Sequence, residues 1–230
     1  MSTFRFQSMV GRAASCLLAL LLIGCQSSPS QLYVLSSGAT PAQARAESAA
    51  PSAVLSDELA RAGEIRVGVS VVIPEYADRT DILQRTGANE LIASHDAQWG
   101  ENLSVDAARV LTEDLAARLP TLEFIMLPSR TRHLLDYQVE VDLSRFEGDA
   151  DGKSLAAGWW TLTDRNNQEV VRGRVWHQVC ASGQGYAAMA AAMSRNLTAM
   201  SADIATAIDE YLRQRATVKQ ARGGRDVLQP

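Results

Sequence analysis

Histidine is the side chain best suited to acid–base chemistry near neutral pH, and this sequence contains three, His95, His133 and His177. They fall on different predicted elements. Only His95 has a carboxylate, that of Asp96, directly beside it in the sequence. Adjacent residues in a loop rarely converge on one substrate. The nucleophile and phosphate-binding motifs of common enzymes are also missing from the sequence. We therefore expect no catalytic residues and no cofactor, and keep a hydrolase that uses His95 and Asp96 as a minor alternative.

An acidic run, Asp149–Gly152, resembles the start of a calcium-binding loop. Such a loop needs a bidentate glutamate at its twelfth position, and counting from Asp149 that position is Trp160. We therefore predict a hairpin turn and no metal site. Only three cysteines are present, too few for a disulfide framework or a paired-cysteine metal site. Cys180 follows Val179 in a predicted strand, so we expect it to be a small buried apolar residue.

Cys25 has the clearest chemical context of the three cysteines. A segment with two arginines and no acid precedes an almost unbroken apolar run, Ala13–Ile23. As a helix that run spans about 16 Å, half of a bilayer core, which indicates a secretory signal and not a membrane span. The sequence Leu22-Ile23-Gly24-Cys25 resembles the bacterial lipobox, in which the thiol accepts a diacylglycerol and the cysteine becomes the mature N-terminus. We predict lipidation of Cys25, with residues 1–24 as the signal peptide.

The residue after Cys25 indicates the membrane in which the protein is anchored, and the charge of the mature chain restricts the class of its partners. Sorting rules retain a lipoprotein in the inner membrane when aspartate follows the cysteine, whereas this chain has Gln26. We therefore expect an anchor on the periplasmic face of the outer membrane. Without residues 1–24 the chain has 20 basic and 26 acidic side chains, which disfavours binding to nucleic acid.

The remaining elements must build one folded domain. Residues 65–71, 137–144, 155–163 and 169–179 read as strands, the last three as an antiparallel meander, and 89–93 and 123–127 as short strands. One helix is predicted from an N-cap at Ser104 to Leu119, and a longer one, with a methionine-rich stripe, from about Gly185 to Arg213. The expected fold is α+β, in two layers: a mixed or antiparallel sheet with two amphipathic helices, the longer one C-terminal.

Composition divides the chain around that domain. Residues 25–63 read as a lipidated tether with a short first strand and an Ala/Pro-rich loop, 64–215 as the α+β domain, and 216–230 as a disordered tail. The methionine stripe favours core packing over a groove for lipid or a partner. The adjacent Trp159 and Trp160 must point to opposite faces of a strand, so at most one of them is in the core. The other, with Trp176 on the next strand, indicates either an interface or ordinary packing under helices or loops.

An ordered set of short segments resembles the PqiC-like, ABC-type transport auxiliary lipoproteins of MCE-type envelope lipid transporters. They include Leu32–Leu35 after the cysteine, Ile73–Arg79, Trp99-Gly100-Glu101 before the first helix, and Arg145–Asp149 before the Trp159 strand. Tyr186–Met189 then begins the closing helix. The resemblance extends from Cys25 to about Tyr211.

The resemblance implies a non-catalytic lipoprotein. Members of the family work with an MCE-domain protein that reaches across the periplasm from the inner membrane, and a ring of identical subunits is compatible with this role. We expect the partner contacts to include Tyr76, Asp78, Arg79, Trp99 and Trp160. The main alternative is a structural or assembly lipoprotein of another envelope biogenesis or secretion complex.

Overall fold

Segments of alternating hydrophobicity form the sheet of this protein, and the two stripes of period three to four form its helices. The computed structural model describes residues 30–38, 65–131 and 134–226, with side chains of the last helix described to residue 218. The strands are β1 (Gln31–Tyr33), β2 (Arg66–Val72), β3 (Asp81–Gly87), β4 (Glu90–Trp99), β5 (Glu123–Met126), β6 (Tyr137–Asp149), β7 (Lys153–Asp164) and β8 (Glu169–Cys180). The helices are α1 (Leu103–Arg118) and α2 (Gly185–Asp226). Cys25, His133 and most of the predicted tether lie outside the described residues.

Strand β6 organises the mixed sheet. Its first half pairs in parallel with β2, and its last two residues, Gly148 and Asp149, pair in parallel with β3. Its other side pairs antiparallel with β7, and β7 pairs antiparallel with β8. The strand order is β1-β4-β3-β6-β2-β5, with β7 and β8 added on the opposite side of β6. The predicted β6–β7–β8 meander is therefore confirmed.

Both helices pack against one face of this sheet. α1 contacts β2 and β5, while α2 contacts α1 and crosses β6, β7 and β8. The α2 stripe is buried in this layer and consists of Met189, Met193, Leu197, Met200, Ile204 and Ile208. Burial of each such side chain contributes about 1.5–3 kcal/mol. The predicted two-layer α+β class is confirmed, and the methionines are core residues and do not line a groove.

Three local predictions need correction. α1 begins at Leu103 after an Asn102 cap, not after Ser104, whose amide is bonded instead by a carboxylate from another loop. Strand β3 was missed because its apolar residues, Ile82 and Leu83, are adjacent and do not alternate. Cys180 is exposed and not buried, since the even-numbered residues of β8 point away from the helices.

The closing helix is longer than predicted. We expected an end near Arg213 and disorder from residue 216, whereas α2 continues to Asp226. The apolar stripe stops at Leu212, so no packing pattern marks the extension. Its residues include good helix formers, among them Ala216, Lys219 and Ala221. No helix within the described residues combines the length and the hydropathy needed to cross a membrane.

Candidate functional site

The loop between β2 and β3 contains three of the predicted partner contacts. The amides of Ala77 and Asp78 both donate to the carbonyl of Pro74, which folds the loop into a tight turn. Ala77 is buried beneath this turn, whereas Tyr76 is 43% exposed and Arg79 lies at the surface. The loop therefore presents Tyr76 and Arg79 to solvent, where a partner can reach them.

Asp78 has a different role from its neighbours. Its carboxylate accepts hydrogen bonds from the amide of Ser104 (2.9 Å) and from the Ser104 hydroxyl (2.7 Å). It thus satisfies a free amide in the first turn of α1 and places a negative charge at the positive end of the helix dipole. Arg79 forms its ion pair with Asp81 and not with Asp78.

A charged cluster lies under Tyr76, at the point where β3 meets the end of β6. Glu147 is 5% exposed and receives hydrogen bonds from Arg85 (Nη2 to Oε2, 2.9 Å) and Arg145 (Nε to Oε1, 2.8 Å). Burial by itself would raise the pKa of Glu147, but these bonds outweigh it, so the pKa lies below the usual value. Burial, then the Glu147 charge, raises the pKa of Tyr76. At neutral pH this cluster provides a neutral phenol over two cations and one anion.

Two of the predicted contacts, Trp99 and Trp160, belong to the core. They are 3% and 4% exposed, so neither indole reaches a surface, and the prediction is corrected for both. Trp160 lies on the helix-covered face, opposite Gly173 of β8. A methyl group at Gly173 would come within 2.3 Å of the Trp160 Nε1 atom. The glycine therefore provides the space that the indole occupies.

The other face of the sheet is open and has exposed tryptophans. Trp159 is 49% exposed and Trp176 is 56% exposed. The guanidinium of Arg172 lies 5.0 Å from the ring centre of Trp159, and that of Arg174 lies 5.2 Å from the ring centre of Trp176. The sequence leaves open whether these tryptophans form an interface or pack under helices or loops, and the structure assigns the exposed position to Trp159 and not to Trp160.

The chain just after β1 is attached to both helices by buried polar groups that the sequence analysis did not identify. Asp106 is 1% exposed and accepts a 2.6 Å hydrogen bond from the Leu35 amide. Arg109 pairs with Asp106 and donates a 2.8 Å bond to the Leu35 carbonyl. The Ser36 amide donates to the Ser194 hydroxyl of α2 at 3.1 Å. Asp106 lies in the first turn of α1, and the Leu35 amide that it binds is 71 positions away in the sequence.

A second buried carboxylate continues this attachment. Asp114 is fully buried and accepts hydrogen bonds from the Ser37 hydroxyl and, at 3.4 Å, from the Ser201 hydroxyl of α2. Residues 34–38 are thus held between the two helices.

The two histidines that the structure describes lie on different strands. His95 and Asp96 are both exposed on β4, and His177 pairs with Asp203 of α2 at 3.1 Å. In residues 30–38, 65–131 and 134–226, no group of three or more His, Cys, Asp or Glu side chains is arranged to hold a metal ion.

Comparison with known proteins identifies the family of this chain. Residues 33–205 match the family model described as the ABC-type transport auxiliary lipoprotein component. The chain belongs to this family. A search of curated proteins gave no match.

Solved structures support the fold of this auxiliary lipoprotein. A crystal structure of an uncharacterised protein is 16% identical, covers 79% of this chain and 99% of its own, and has a TM-score of 0.60. Protein XCC0632 from Xanthomonas campestris, assigned to the DUF330 family model, is 17% identical with a TM-score of 0.53. That match covers 82% of this chain and 97% of the other. At these identities the likeness concerns the fold alone.

Proposed function

We propose that this auxiliary lipoprotein is a non-catalytic accessory subunit of an MCE-type lipid transport system, anchored to the periplasmic face of the outer membrane. The match to the transport auxiliary family over residues 33–205 is the observation that carries this proposal. The lipobox-like Leu22-Ile23-Gly24-Cys25 supplies the anchor, and Gln26 after the cysteine supports the outer-membrane location.

The structure supports a mechanical accessory role. In the proposed arrangement a short tether follows the acylated Cys25 and leads to β1, which is already a strand of the sheet. Buried carboxylates Asp106 and Asp114 hold residues 34–38 against the helices, so the first part of the domain is fixed to the rest of it. The exposed Tyr76 and Arg79 are the predicted contacts that remain available to an MCE-domain protein.

Affinity capture from detergent-solubilised envelopes tests the partner. A tagged, lipidated form should recover an MCE-domain protein that mass spectrometry identifies. Arg79→Glu should reduce the recovery, whereas the matched surface variant Arg130→Glu should leave it unchanged. Recovery of an assembly or secretion complex in place of an MCE protein would refute the transport role and support the alternative assignment.

Membrane fractionation tests the anchor separately. The N-terminal peptide of the wild-type protein should have the mass of an acylated Cys25, and Cys25→Ser should release the protein from membranes. Gln26→Asp should move it from the outer to the inner membrane. A soluble wild-type protein would contradict the anchor, whatever partner it binds.

A further inference from the structure

Strand β8 is a long edge of the sheet. In the part of the chain that the structure describes, it pairs with β7 alone, over 12 residues from Glu169 to Cys180. The strands at the two ends of the main strand order, β1 and β5, have only three and four residues. An unpaired strand edge offers a row of N–H and C=O groups to which another chain can add as a strand.

The hydrogen bonds between β7 and β8 show which residues of β8 direct their backbone groups away from β7. The Ala181 amide donates to the carbonyl of its partner Gly152, so this is a hydrogen-bonded pair. In an antiparallel ladder the pairs alternate, so the backbone groups of residues two apart point the same way. From residue 172 to 180 the even-numbered residues therefore direct their N–H and C=O groups away from β7. Their positions are Arg172, Arg174, Trp176, Gln178 and Cys180.

The same even-numbered residues present their side chains on the open face. Arg172 and Arg174 are exposed, and Trp176 is among the most exposed large apolar side chains described. The carboxylate nearest to Arg172 is the exposed Glu169 at 4.0 Å. Among the described residues Arg174 has no carboxylate partner. The Cys180 carbonyl at the end of this row already accepts a 2.8 Å hydrogen bond from Arg195 of α2. From Arg172 to Gln178 the edge combines outward-facing backbone groups with two exposed guanidinium groups and an exposed indole.

A cavity opens beside this edge. It has a volume of about 340 Å³ and is lined by Arg174, Trp176, His177 and Asp203. Arg174 and Trp176 belong to the open face, whereas His177 pairs with Asp203 on the helix side, so the cavity has walls from both faces of β8. It is large enough for a side chain of an added strand.

We propose that β8 is a docking edge for an extended, acidic segment of a partner protein, which adds to the sheet as a further strand. Its carboxylates would face Arg172 and Arg174, and one of its apolar side chains would contact Trp176. A second copy of β8 fits poorly, because self-pairing about Arg174 would place like charges opposite each other. This proposal rests on the proposed function only in needing a protein partner.

Binding of synthetic strands tests the proposal on the purified full chain in detergent. A fluorescein-labelled octapeptide of alternating glutamate and valine should bind saturably in fluorescence anisotropy, and the peptide with lysine for glutamate should not. Two further versions of the glutamate peptide would carry backbone N-methyl groups, one on its glutamates and the other on its valines. Only one of these two peptides should lose binding, because an added strand turns the amides of only one set of residues toward β8. Equal binding of both would show simple charge attraction and overturn strand addition.

Variants locate the site on β8. The double variant Arg172→Glu/Arg174→Glu should lower the affinity for the glutamate peptide by a factor of about ten or more and raise the affinity for the lysine peptide. The control Arg79→Glu/Arg130→Glu changes the same charge on other loops and should leave affinity unchanged. Gln178→Pro removes an N–H that points away from β7, so no bond between β7 and β8 is lost. This variant should also weaken binding of the glutamate peptide.

Three outcomes would overturn the docking edge. They are an unchanged affinity in both β8 variants, a glutamate peptide that does not bind, and a protein oligomer that Gln178→Pro dissociates, since the last would assign the edge to a second copy. Failure to capture an MCE protein leaves these peptide results intact and counts only against the proposed function.

Discussion

Asp78 and Ser104 connect the loop after β2 to the first turn of α1 through two hydrogen bonds from one residue to one carboxylate. These two bonds fix the turn that contains Asp78 to the start of α1. Tyr76 and Arg79 lie on the same turn, so their backbone positions are fixed with it. The carboxylate thus positions the surface that we propose to meet a partner, without contacting the partner itself.

Asp78→Ala should lower the free energy of unfolding by about 1–2 kcal/mol, because it removes a helix cap and leaves the Ser104 amide without its acceptor. Asp78→Asn should cost less, since the amide oxygen can still accept one bond. Arg79→Ala, which removes an exposed ion pair, should change stability by about 0.5 kcal/mol or less. Urea unfolding measures all three, and equal values for Asp78→Ala and Arg79→Ala would contradict the capping role.

The Glu147 cluster predicts a specific loss of stability in acid. The carboxylate has a pKa in the folded protein below its unfolded value of about 4.3, so its stabilising contribution is complete above that pH and is lost as pH falls toward the folded pKa. Glu147→Gln should cost about 1–3 kcal/mol at pH 7, because Arg85 and Arg145 lose a buried charged acceptor but remain partly hydrated.

Chemical denaturation of both proteins between pH 7 and pH 3 measures this difference. The stability gap between wild type and Glu147→Gln should narrow below about pH 4.3. The exposed variant Glu113→Gln serves as a control for general acid effects. A gap that stays constant down to pH 3 would show that Glu147 is not the responsible group.

The fit between Trp160 and Gly173 predicts a coupled pair. Gly173→Ala should destabilise the fold by about 1–3 kcal/mol, since the added methyl overlaps the indole. Trp160→Phe removes the Nε1 atom that the methyl would meet, so the double variant should be less destabilised than the sum of the single variants. Trp159→Ala should have a much smaller effect, because that indole is half exposed. Additive effects of Gly173→Ala and Trp160→Phe would contradict the contact.

The attachment of residues 34–38 predicts a local change in hydrogen exchange. Asp106→Ala removes the acceptor of the Leu35 amide, so protection of that amide should fall about tenfold or more while the β6–β7 amides keep theirs. Glu113→Ala, two turns further along α1, also loses a contact to Arg109 and is the matched control. Loss of protection throughout the sheet would indicate general unfolding and not release of the segment.

Local patterns in the chain were sufficient for the meander and the two helices. Each of these depends on residues that are close in sequence: alternation of apolar and polar residues in β6, β7 and β8, or a stripe of apolar residues along a helix. Composition put the start of the domain at residue 64, whereas β1 pairs with β4 in the same sheet. The helical extension to Asp226 has no apolar stripe that could reveal it. Sequence similarity was likewise sufficient for the family, which the match over residues 33–205 confirms.

The tertiary structure decided which face of each strand is covered. Alternation shows that Trp159 and Trp160 point in opposite directions, but only the position of α2 makes Trp160 a core residue and Trp159 a surface one. Asp78 reaches Ser104 across 26 positions and Asp106 reaches Leu35 across 71, distances at which a linear pattern has no signal. The free edge of β8 is equally invisible in sequence, because a strand becomes an edge only through the order in which all the others pair.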